Sequence, residues 1–349
     1  MGMTKSSRIR TWWLALSLLV LAPICAEYLS AYDDSTGHPA TLLGNLIIFI
    51  PLYGCSALLI REVARRARLG WTGILLLATA FGLVEAGLID QSLYSPDYRG
   101  LEGWAATYAA TLIAPWGMSA VHLLGFVGGH VMLSICGPIA LVEAWRPNRS
   151  TEPWLRLPGL VITALAYAVG SALVLFWHLQ TEEWHAGPGQ LTGTGLVVVA
   201  LVGAAVLVGR RSRCKRDASG PGLGLTAAIA LVLGGAFHSM PQTWPGFAGS
   251  VVLLVIAGVL LDRAASTRRW SATHAAIVGA TPLFLTAALA FTYDPMIGEV
   301  TTQAKYAHNA VMVAIVVLAL MVAVLRRSGR QRMRLSPTTG TTSSTNRHW

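Results

Sequence analysis

The chain has 349 residues, 54% of them hydrophobic and 12% charged, a formal net charge of +10 and a mean hydropathy of +0.56. A soluble globular chain carries about 25% charged residues, so a soluble domain with a short anchor is excluded. The positive charge is gathered into short stretches between apolar runs, which excludes a nucleic-acid surface and makes the lipid bilayer the first partner.

A bilayer core about 30 Å thick needs about 20 apolar residues per helix. Residues 1–11, with Lys5, Arg8 and Arg10, read as a cytoplasmic N-terminus, followed by a first span over 12–32. "ICA", ending at Ala26, has the look of a signal-peptide cleavage site, but Ile24 is large for the −3 position and "EYLSAY" continues the helix, so the segment is expected to be retained. Glu27, Tyr28 and Tyr32 fall near its outer end. Span two (40–60) holds Asn45 and Tyr53, placed in the inner half, and span three (71–92) holds Glu85 and ends near Asp90.

Residues 94–116 form the longest outer connection; "AATYAATLIAPW" is too short to cross and predicts an interfacial or re-entrant helix stopped by Pro115. Span four (117–144) carries His122, His130 and, near its base, Glu143. Spans five (158–180) and six (193–209) flank "GPGQLTGTG" (187–195), which reads as loop. Spans seven (222–240), eight (247–261) and nine (272–292) follow, with His178 and His238 at span ends and His274 at the base of span nine. Span ten (304–325) opens with Tyr306, His308 and Asn309, and residues 326–349 read as a basic, disordered cytoplasmic tail.

These spans predict an all-α polytopic membrane protein, a bundle of about ten transmembrane helices with both termini cytoplasmic. The charges support that arrangement: 24 of the 26 Lys and Arg fall in the six inner segments, and only Arg99 and Lys305 fall outside. Strand periodicity is absent, so a β-barrel is not expected. Arg greatly outnumbers Lys, and Ala, Gly and Val are abundant, which suggests a high-GC bacterium and its cytoplasmic membrane. Cys25, Cys55, Cys136 and Cys214 lack metal-ligand spacing and imply no disulfide framework. No inverted repeat is visible between the halves.

An ionised side chain at mid-bilayer costs about 2.5–3.5 kcal/mol on insertion scales and therefore faces protein or water. Glu85 lies about 21 Å along span three at 1.5 Å per residue, too deep to reach water without polar company. Glu27, Asp90, His122, His130, His308 and Asn309 are placed in the same outer half, whereas the inner half is read as poorer in polar groups. The candidates for proton or solute binding, or for catalysis, are therefore Glu85, His130, His122, Glu27, Asp90, His308 and Asn309, in a chamber built on spans one, three, four and ten. No cofactor or metal is expected: His122 and His130 are about 12 Å apart along one helix. No Walker motif is present, so ATP-driven transport would need a partner subunit.

A carboxyl and an imidazole held together suit two machines. One is a permease in which the pair exchanges a proton as a small solute passes. The other is an intramembrane hydrolase or lipid-modifying enzyme, with Glu85 activating a water and His122 or His130 stabilising the oxyanion of a lipid-phase substrate. "FVGGH" (Phe126–His130) resembles the FxxxH element of the CAAX-protease-like glutamate intramembrane proteases, 41 residues beyond Glu85. That resemblance covers two short patches and implies Glu85 and His130 as the residues carried over. It departs from the family at "EAGLID", where Ala86 and Asp90 replace the second Glu and the Arg of EExxxR, and no HxxxN or HxxxD follows. The base rate favours the permease; a non-catalytic accessory subunit or sensor is the third class.

Overall fold

The computed structural model describes residues 11–210 and 216–335, with side chains up to Arg326. Among the described residues eight helices are long and apolar enough to cross a bilayer: α2 (Pro39–Arg66), α3 (Gly70–Ile89), α5 (Ala120–Trp145), α6 (Leu157–Thr181), α7 (Pro188–Gly209), α9 (Trp244–Ala265), α10 (Ala272–Thr292) and α11 (Thr302–Leu335, crossing to Arg326). Two shorter apolar helices, α1 (Trp12–Tyr28) and α8 (Leu223–His238), bring the bundle to ten. A seven-residue helix, α4 (Trp104–Ala110), and a two-stranded hairpin, β1 (Leu112–Ile113) with β2 (Met118–Ser119), lie between α3 and α5.

Several boundaries move from their sequence expectation. α2 runs on through Arg66, so residues 61–66 are helix rather than loop, because Arg61 and Glu62 are buried and fully partnered there. α7 starts at Pro188, inside the glycine-rich stretch read as loop. Pro188 supplies the first helical φ, and the Gln190 side chain accepts the Gly187 N–H at 2.8 Å. α1 ends at Tyr28, short of residue 32. α9 is longer than expected at both ends. α4 stops at Ala110, well before Pro115, because Thr111 turns away to bond Ser119 (Oγ1 to Oγ, 2.8 Å) and the Ala120 N–H. α11 continues as helix to Leu335, past the point where a disordered tail was expected; residues 1–10 and 336–349 lie outside the described residues.

The bundle is layered. Only about a tenth of the most apolar window of α6, α7 and α9 is buried, so these helices form the lipid-facing shell; α3 and α5 are mostly enclosed. Close approaches lock the inner helices. A Cβ at Gly54 would meet the Leu19 carbonyl oxygen at 2.3 Å, pinning α2 against α1, and a Cβ at Gly137 would meet the Gly279 carbonyl oxygen at 2.9 Å, pinning α5 against α10. In lipid, where no hydrophobic force drives helices together, such backbone proximity is a main source of packing energy.

Candidate functional site

Four transmembrane helices leave the α-helical pattern for one wide π-helical turn: Ile24–Tyr28 in α1, Ile50–Gly54 in α2, Glu85–Ile89 in α3 and His130–Cys136 in α5. A π turn adds a residue and re-aims the side chains around it, and such turns concentrate at functional sites. Proline or glycine accompanies each one: Pro23, Pro51, Gly87 and the pair Gly128–Gly129. Each turn also carries one member of a single buried cluster, namely Glu27, Tyr53, Glu85 and His130.

Glu85 is the hub. Its Oε2 comes within 2.7 Å of His130 Nε2, and its Oε1 accepts the Tyr53 hydroxyl at 3.2 Å. The contact is enclosed, the Glu85 side chain being only 4% exposed. His130 is held from behind by Ser134, Nδ1 to Oγ 3.2 Å, one turn on. Its ring stacks on Tyr53 (5.8 Å between centroids) and meets Phe81 edge-on (5.7 Å). Gly82 makes room for it, since a Cβ there would stand 3.2 Å from the His130 Cβ.

The cluster extends both ways. Tyr53 also approaches Glu27, whose Oε2 accepts the Tyr32 hydroxyl at 2.9 Å. Asp90, just past the π turn of α3, accepts the Ser92 N–H (3.0 Å) and hydroxyl (2.8 Å) on Oδ1, and Tyr98 reaches its Oδ2 at 3.5 Å. Burial and the neighbouring Asp90 push the Tyr98 phenol well above its ordinary range, so it remains a donor. Among the described residues no Lys or Arg pairs with Glu27, Glu85 or Asp90. The loop that carries Asp90 is itself anchored: Gln91 Oε1 accepts the Ala186 N–H at 2.6 Å, and the Tyr94 hydroxyl meets Thr194 Oγ1 at 2.6 Å.

Four of the seven sequence candidates thus meet: Glu85, His130, Glu27 and Asp90. The other three sit elsewhere. His122 lies in an aromatic box of Trp104 (4.5 Å), Phe126 (5.8 Å) and Tyr108 (5.9 Å), its backbone N–H bonded to the α5 cap Ser119. His308 Nε2 bonds the Tyr28 carbonyl at 2.9 Å while Nδ1 accepts the Gly37 N–H at 3.4 Å, and Asn309 Nδ2 donates to the Ala290 carbonyl at 2.9 Å. Those two residues join α11 to α1 and α10 rather than to Glu85, so span two replaces span ten in the cluster.

Even α-helical spacing places Tyr53 in the inner half of span two; the π turn Ile50–Gly54 re-aims it toward Glu85, and Pro51 is the sequence signal for that break. The C-terminal end of α2 carries a second buried polar network. There Arg61, with 0% exposed side chain, bonds Glu62 (2.6 Å) and Glu143 (3.1 Å) and lies 3.5 Å over the Trp154 ring. Arg65 closes on Glu143 at 2.5 Å, Arg66 pairs with Glu62, and Glu62 accepts the backbone N–H of Trp154 and Leu155. These side chains interlock α2, α5 and the 147–156 connection.

Chemically, the Glu85 cluster can hold and pass a proton between a carboxyl and an imidazole, with tyrosine hydroxyls on the flank. No group of three or more His, Cys, Asp or Glu among the described residues converges as a metal site.

The chain belongs to an uncharacterized membrane protein family, whose model matches residues 16–328. It is also similar to a protein described as a probable biotin transporter BioY from Methanothermobacter thermautotrophicus, with 29% identity over 148 residues, 41% of this chain and 85% of that protein. No solved structure gives a significant match. The protein is therefore a multi-pass membrane protein of helical-bundle architecture.

Proposed function

We propose that this member of the membrane family is a permease-like carrier of the cytoplasmic membrane, with its termini inside the cell and the Glu85 cluster in the half of the bilayer facing outward. The observation that carries the reading is the convergence of four π turns on one Glu–His pair. The protein spends helical regularity on four separate spans to bring Glu27, Tyr53, Glu85 and His130 together, and a pair that only glued helices would not need all four. The similarity to a transporter supports the same class. The basic residues at the end bearing Arg61, Arg149 and Arg326 support the orientation.

In this reading the proton shared by Glu85 and His130 moves as solute binds and leaves. Buried charged groups in a membrane span mark such paths, since their desolvation cost is otherwise uncompensated. The test is reconstitution into liposomes with a trapped pH dye, challenged with a panel of amines, neutral polar solutes and carboxylates including biotin. The native protein shifts lumen pH in response to at least one solute, and Glu85→Gln, folded to the same degree, responds to none. A native protein silent to the whole panel rejects the carrier.

The 2.7 Å Glu85–His130 approach and the FxxxH likeness also favour a second reading, a hydrolase in which the pair activates water. It separates from the first because it predicts cleavage of a lipid-phase ester or peptide by detergent-solubilised protein, with no membrane-bounded compartment required.

A further inference from the structure

The interior cluster and a surface pocket at the same end of the bundle share one chemistry. Inside, the carboxyls of Glu27, Glu85 and Asp90 face one imidazole, His130, whose Nε2 lies 2.7 Å from Oε2 of the Glu85 side chain, itself 4% exposed. Among the described residues no Lys or Arg balances these three carboxyls, so the interior is short of positive charge. Tyr98 connects this cluster to the surface, since its hydroxyl reaches Asp90 while its neighbours on either side line a pocket of about 530 Å³. The pocket walls hold Asp97, Glu182 and Glu183, the indoles of Trp177 and Trp184, and Arg99, whose backbone N–H lies 3.3 Å from Glu182 Oε2.

Carboxylates and indole faces both attract cations. A solute bearing a carboxylate meets like charge at the pocket and again at Glu85. A bare metal ion fits no better, because it needs several ligands converging at about 2.0–2.6 Å and no such group is present among the described residues. A cation with several N–H donors can instead span carboxyls that are near one another without converging.

We propose, granted the carrier reading, that the solute is an organic cation of the amine or guanidinium class, captured at the Trp177–Trp184 pocket and bound at Glu85, and that it is exchanged against a proton. The proton held between Glu85 and His130 leaves as the ammonium arrives, because an imidazolium and an ammonium repel strongly in a low-dielectric interior. The ammonium then pairs with the Glu85 carboxylate, and one positive charge replaces another with no change in covalent bonding.

The probes are butylammonium, butyrate and sodium chloride, titrated calorimetrically into the purified full-length protein in two buffers of different ionisation heat, which yields affinity and protons released. Butylammonium is expected to bind and release close to one proton, while butyrate and sodium give no binding heat. Asp97→Asn with Glu182→Gln weakens binding but leaves the proton count unchanged. Glu85→Gln abolishes the release; if that variant is not monodisperse, Glu27→Gln is expected to lower both affinity and release. Butyrate binding without butylammonium binding, butylammonium binding without proton release, or no binding by either, each overturns the assignment. The liposome assay distinguishes this failure from that of the carrier itself: a lumen pH response to carboxylates or neutral solutes alone leaves the carrier standing and removes the cation.

Discussion

Glu85, His130 and Tyr53 form the contact on which the functional reading turns. Removing one partner of a buried hydrogen-bonded group costs about 1–3 kcal/mol, so Tyr53→Phe is expected to lower thermal stability modestly and to weaken solute response, because Glu85 Oε1 loses its donor. Full stability and full response in Tyr53→Phe would show that this hydroxyl is idle. His308→Ala behaves differently: it removes a staple between α11 and the Tyr28 carbonyl, so it should lower the unfolding midpoint while leaving the affinity of the remaining folded protein unchanged. The contrast separates the candidates that cluster from those that only pack. Glu85 itself was legible in the sequence because an acid so far into an apolar run has few explanations. His130 was legible by type but not by partner, since nothing in linear spacing says which faces of two helices meet.

At the level of the helix, the sequence conveyed the ten apolar segments well, because lipid forces a uniform composition over a fixed length. It conveyed the ends poorly. Arg61, Glu62, Arg65 and Arg66 read as a cytoplasmic loop because charge is usually exposed; here they lie on α2, where mutual pairing and Trp154 cover all but Arg66, whose side chain stays 31% exposed. Breaking a buried pair by deleting one partner costs about 3–5 kcal/mol, so Arg61→Ala is expected to destabilise the detergent-solubilised protein strongly, leaving Glu62 and Glu143 without their shared partner. Replacing Arg61 and Glu143 together by Met should cost less than the sum of the single changes, and simple additivity in a double-mutant thermal unfolding series would refute the interlock. The π turns escaped detection for a related reason: one added residue per turn leaves composition untouched and changes only which side chains share a face. Gly54→Ala tests that packing, since its Cβ would stand 2.3 Å from the Leu19 carbonyl oxygen and force α1 away from α2. The expected result is a lowered midpoint together with loss of solute response, because Glu27 and Tyr53 ride on those two helices; an unchanged midpoint would contradict the close approach.

The molecule as a whole is a largely apolar bundle enclosing a polar cluster, with α6, α7 and α9 facing lipid, a charged interlock at one end and an acidic pocket at the other. The proposed orientation is tested by Asp97→Cys and Arg268→Cys in intact cells: an impermeant thiol reagent should reach the first and spare the second, and the reverse pattern would invert the topology. The most direct test of the central claim is the lumen pH of liposomes containing native, Glu85→Gln or His130→Ala protein, matched for folded content and exposed to the same solute. The native protein should shift lumen pH and both variants should be silent. A full response from Glu85→Gln would contradict the claim that this buried carboxyl and its imidazole carry the proton.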